Sequence, residues 1–112
     1  MALRFATKTP RRLLKSLKEA IDEGKITTWS YDDQGDFTHT PDQWRRDAWL
    51  RPKIVGDGEL VFYIISPSDV ELSTDVYAVY HGRFSEMMLS HFDRLFNECR
   101  LSAMPEDDDL VF

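Results

Sequence analysis

Tyr80-His81-Gly82-Arg83 is the group in this chain whose residue types and spacing come closest to a reactive site. An imidazole and a guanidinium on either side of a glycine turn can face a phosphate or an oxyanion beside backbone N–H groups, which is the chemistry of a small hydrolase or transferase using His81 and Arg83. General acid–base work would further require His81 or His91 to lie close to Glu86 or another carboxylate. The plainer alternative is that Gly82 permits a turn, His81 caps or packs, and Arg83 pairs with one of many acids. His39, His81 and His91 have none of the His-Glu-x-x-His or Cys/His spacings that hold a metal, so no metal site is expected. No Gly-rich loop of the phosphate-binding or dinucleotide type occurs, and no cofactor is expected. Cys99 is the only cysteine, which excludes an internal disulfide, and its place on an apolar stripe suits a small buried hydrophobe better than a nucleophile.

The elements that would position these residues start with Val76 to His81. Neither of its alternating faces is strongly polar, which predicts a central strand covered on both sides. Gly82 then breaks the period of two. From Phe84 onward, Met88, Phe92, Leu95 and Cys99 mark an amphipathic helix lying on the sheet, with Met87, His91 and Phe96 widening the stripe.

Toward the N-terminus, Thr9-Pro10 has the form of an N-cap and first helical residue, and Gly24 is placed to end that helix in a left-handed conformation. Leu13, Leu14, Leu17, Ala20 and Ile21 give the helix one apolar face. Two three-residue loops, Asp33-Gln34-Gly35 and Gly56-Asp57-Gly58, each predict a hairpin with glycine at a left-handed position. The first joins strands at 26–31 and 36–40, pairing Tyr31 with Phe37 and Trp29 with His39. The rings of Trp29, Tyr31 and Phe37 then form either core beneath a helix or a platform for stacked bases, the core being favoured in a domain this small. The second joins strands at 48–55 and 59–66, with Leu50, Pro52 and Ile54 opposite Ile64, Phe62 and Leu60. Pro52 cannot donate to a ladder, which puts its strand at an edge or distorts it there. Thr40 to Gln43 resembles a capping box and predicts a short helix to about Arg46. The sum is an α+β fold, an antiparallel sheet of about five strands with N-terminal and C-terminal helices packed on it. Residues 1–103 form the domain and 104–112 an acidic, mobile C-terminal tail.

Charge is unevenly placed. The chain carries a net charge of −6, yet residues 1–25 hold seven basic and three acidic residues. On the first helix Arg11, Arg12 and Lys15 crowd the positive end of the dipole, and Glu19, Asp22 and Glu23 the negative end. Each misplacement forgoes about 0.3 to 1 kcal/mol. Arg11, Arg12, Lys15 and Lys18 are therefore the candidate anion-binding surface, with a nucleic acid or the chain's own Glu106 to Asp109 as the counter-charge.

Asp107-Asp108-Asp109-Leu110-Val111-Phe112 resembles the acidic C-terminal tip of bacterial single-stranded-DNA-binding proteins, where aspartates precede a short apolar end and a terminal Phe. Val111 departs from the proline usual at that place. The resemblance covers these six residues and implies a partner-binding tail using Asp107, Asp108, Asp109 and Phe112, not the fold or DNA binding of that family.

Taken together, the sequence favours a small non-enzymatic interaction or accessory domain with a protein partner. The alternatives are a nucleic-acid-associated protein using the basic first helix and the tail, and the hydrolase or transferase above. No apolar run approaches the roughly 20 residues that span a bilayer, so a soluble, cytoplasmic protein is expected.

Overall fold

The computed structural model describes residues 1–106, 108 and 109. Its elements are β1 (Ala2–Ala6), α1 (Pro10–Asp22), β2 (Trp29–Tyr31), β3 (Phe37–His39), β4 (Trp49–Val55), β5 (Glu59–Ile65), α2 (Thr74–Phe92) and β6 (Glu98–Leu101). All six strands join one antiparallel sheet in the order β2-β3-β4-β5-β1-β6. The expected α+β class holds, with six strands where about five were counted.

Both glycine hairpins form in the predicted register. Trp29 pairs with His39 and Tyr31 with Phe37, and Gly35 takes φ 81° as its loop requires. In the second hairpin Leu50, Pro52 and Ile54 face Ile64, Phe62 and Leu60. β4 meets β3 only through Phe37 and Leu50, so the missing N–H of Pro52 falls where that side of β4 has no partner strand.

Three expectations are corrected. Residues 76–81 are not a strand; they are the first turns of α2. The Ser73 side chain accepts the Val76 N–H and Asp75 favours the positive end of the dipole, so a complete N-terminal signal precedes the run. The run also satisfies a helical period, since Tyr77, Tyr80, His81, Phe84 and Met88 share one face. Gly82 lies within the helix and breaks nothing. Secondly, α2 stops at Phe92, so Cys99 belongs to β6, half-buried opposite Phe5 of β1. β1 and β6, which were not anticipated, replace the supposed central strand. Thirdly, Thr40 to Arg46 forms turns and no helix: the Thr40 hydroxyl donates to the Thr27 carbonyl, and Arg46 takes φ 61°.

α1 and α2 cover the same sheet face. Leu13 and Leu17 of α1 and Tyr80, Phe84, Met87 and Met88 of α2 share one core with Leu3, Phe5, Leu50, Leu60, Phe62 and Ile64. Phe84 is its centre, with ring centroids 4.9 Å from Trp29 and 4.6 Å from Phe62. Trp29 and Phe37 are fully enclosed in the core, while Tyr31 is only partly buried against it, its hydroxyl donating to Asp22 at 2.7 Å. Among the described residues the opposite sheet face has a small apolar cluster, Ala2, Val61 and Tyr63, with Val55 against it.

Candidate functional site

The structure pulls the Tyr80–Arg83 group apart, because successive residues of a helix point in different directions. His81 turns inward and is buried; its Nδ1 lies 2.9 Å from the Tyr77 carbonyl one turn earlier. Its Nε2 has no hydrogen-bond partner among the described residues. Arg83 turns toward β3, its guanidinium 5.7 Å from the Trp44 ring centroid and one nitrogen 3.2 Å from His39 Nε2.

His39 is thereby fixed as a neutral tautomer. Arg83 can only donate, so Nε2 must accept, leaving Nδ1–H to donate to the Thr28 carbonyl at 2.7 Å. Burial pushes the His39 imidazole below its ordinary value, and the Arg83 charge acts in the same direction. The Tyr80 hydroxyl completes the cluster, meeting Thr38 Oγ1 at 3.0 Å and donating to the Trp44 carbonyl. Both His39 ring nitrogens, the Thr38 hydroxyl and the Tyr80 hydroxyl have protein partners, which suits a device that fastens α2 to β3 and to the 40–48 loop. Neither His81 nor Arg83 lines any of the clefts described below. His91 is elsewhere again, in a cleft of about 270 Å³ with Glu19, Glu23 and Phe92. The described residues hold no group of three or more His, Cys, Asp or Glu arranged for a metal.

The four cations named on α1 divide into two pairs. Lys15 is spent on Glu19 at 3.8 Å, and Lys18 lies over the Tyr31 ring at 5.4 Å from its centroid. Arg11 and Arg12 stay exposed at the N-terminal end of the helix. There the fold adds two partners that local sequence could not nominate, Lys8 from the β1–α1 connection and Arg94 from the turn after α2. One cleft of about 480 Å³ runs from Lys8, Arg11 and Arg12 to Ile54 and Gly56 of the second hairpin, with Asp57 at its rim. A second, of about 200 Å³, joins Lys8 and Arg12 to Arg94, Phe96 and Asn97. No carboxylate among the described residues lies within salt-bridge distance of these four cations. The N-terminus of α1 adds to the field, since its first turn has no acidic residue and Thr9 makes no side-chain cap.

No protein-family model, curated protein or solved structure matches this chain.

The acidic C-terminal segment does not lie on α1. Glu106 pairs with Arg4 of β1 and accepts from Ser102, which together hold its carboxyl below the usual range, the Ser102 bond contributing most. Asp108 pairs with Lys53 of β4 at 2.8 Å. Asp109 has no exposed side-chain surface; it accepts the Ile64 N–H at 3.1 Å and the Glu106 N–H at 2.7 Å and lies 3.1 Å from the Met1 amino group. The segment therefore crosses the sheet face that the helices leave open. Asp107 and Phe112, the other candidates for a partner-binding tail, lie outside the described residues.

Proposed function

We propose that this chain is a non-enzymatic interaction domain that docks a short acidic segment of a protein partner at the N-terminal end of α1. The observation that carries this reading is the gathering of Lys8, Arg11, Arg12 and Arg94 around two adjoining clefts with no carboxylate partner among the described residues. Uncompensated charge at one spot is costly to keep for stability alone, because each cation there opposes both its neighbours and the helix dipole. The cleft floors supply apolar contact through Ile54 and Phe96, so a ligand can gain more than charge pairing.

A short acidic segment fits better than a long polyanion because the whole chain carries −6. Beyond a screening length of about 8 Å the local patch no longer dominates, and an extended nucleic acid would run over repulsive surface. A labelled acidic peptide, a labelled single strand and a labelled duplex, each titrated at low and moderate salt, test this. Peptide binding that weakens with salt and is lost in Arg11→Glu with Arg12→Glu, but survives Lys15→Glu with Lys18→Glu, supports the reading. Tighter binding of either nucleic acid replaces it with the nucleic-acid-associated alternative. Binding of none of the three at low salt removes it.

A further inference from the structure

β6 ends the sheet, and its chemistry is self-complementary. The Ser102 N–H donates to the Ala2 carbonyl at 3.0 Å, and Leu3 stands opposite Leu101. In an antiparallel ladder this fixes the phase: Arg100 and Ser102 direct their backbone groups toward β1, while Cys99 and Leu101 direct theirs away from it. Among the described residues those outward groups have no strand to pair with, and Leu101 and Met104 beside them are 52% and 75% exposed. Edge strands are usually blunted by like charges, by proline or by a cover of other chain. Here the charges are Glu98 and Arg100, of opposite sign, two residues apart and on one face. Their side chains are 63% and 66% exposed, and Arg100 reaches its carboxylates only at 3.5 Å (Glu59) and 3.8 Å (Glu98).

We propose that β6 pairs antiparallel with β6 of a second copy of this chain, continuing the sheet across a two-fold axis at Cys99. Faces must match across the pair, so only registers that place even-numbered residues opposite even-numbered ones are allowed. Centring on Arg100 would set two guanidiniums opposite each other. Centring on Cys99 sets Glu98 opposite Arg100 of the other copy, twice, at the non-hydrogen-bonded positions where side chains approach most closely. In the same register the outward backbone groups of Cys99 meet each other and the Leu101 N–H meets the Asn97 carbonyl, the Asn97 N–H being turned to the Ala6 carbonyl of β1 at 2.7 Å. Charge, face and backbone phase thus select one register, independently of what docks at α1.

The test uses the full-length chain, with light scattering at concentrations up to about 100 µM, and Glu98→Arg, Arg100→Glu and the double exchange. Each single reversal sets like charges opposite each other and is expected to weaken association by about tenfold or more, with the double exchange restoring it. Circular dichroism checks that each variant is folded. Amide exchange gives a reading that needs no variant: the Cys99 and Leu101 N–H groups should exchange more slowly at high protein concentration than at low. A monomer at the highest concentration with fast, concentration-independent exchange at both amides overturns the proposal. So does a dimer that both single reversals leave intact.

Discussion

His39 is held between Trp29 and Arg83 with both ring nitrogens engaged, whereas His81, nearly as buried, leaves Nε2 without a partner among the described residues. Burial pushes both imidazoles below their ordinary value of 6.5, and for His81 the nearby Met1 amino group works in the same direction while Asp109 opposes it. As pH falls through 6.5 the unfolded chain takes up protons at these sites before the folded chain does. Stability therefore falls with pH in this window and is unaffected by these groups above it. Glu106, whose carboxyl is depressed below 4.5, contributes stability that is lost only at lower pH, so acid unfolding should begin with the histidines. His81→Leu removes an unsatisfied buried nitrogen. It should leave stability at pH 7.5 equal or higher and reduce the loss between pH 7 and 5, read from urea midpoints. An unchanged pH slope would show that His81 does not titrate with folding. The sequence placed His81 and Arg83 side by side, but the helix turns them apart, and Arg83 finds its partners in His39 and Trp44, each some 40 positions away, which nothing local encodes.

Gly82 shows at the level of the element why α2 was misread. Val76 to His81 alternates as a strand does, and a glycine at its end looked like the break between two periods. The decisive signal was upstream, in Ser73 capping Val76, and it outweighs a run with only two β-branched residues, Val76 and Val79. A glycine in an exposed helix interior costs about 0.5 to 1 kcal/mol relative to alanine. A Cβ at Gly82 would meet no atom within 4 Å. Gly82→Ala should therefore raise stability by about 0.5 to 1 kcal/mol, seen as a higher denaturant midpoint at unchanged slope. A decrease would mean that α2 needs the glycine for a reason its packing does not reveal. The two hairpins were legible to the residue because glycine loops and alternating apolar faces specify the same register independently. β1 and β6 were not: Ala2 to Ala6 and Glu98 to Leu101 are short, each interrupts its apolar residues with arginine, and they become strands only by pairing with each other and with β5. Arg11 and Arg12 were likewise readable from the dipole mismatch on α1, but Arg94 joins them only because the fold returns the chain to that end.

Across the whole molecule the two sheet faces are closed by different means. Both helices seal one face with a continuous aromatic and aliphatic core, while the other receives residues 102–106, 108 and 109, tied down through polar contacts. Asp109 is the anchor of that strap. The β1–β5 ladder stops at the pair Ala2 and Tyr63, and the Asp109 carboxylate takes up the next donor of β5, the buried Ile64 N–H. Asp108 and Lys53 form an exposed pair, and such pairs contribute little because water screens them and two long side chains must be held still. The two adjacent aspartates should therefore respond very differently to substitution. Asp109→Ala leaves the Ile64 and Glu106 N–H groups short of an acceptor and should cost about 1 to 3 kcal/mol. Asp108→Ala should leave the urea midpoint where it is. Backbone exchange at Ile64 should quicken in the first variant alone. Equal effects of the two substitutions would mean that the segment is held by its overall negative charge, in which case raising the salt concentration should loosen it in the unmodified chain.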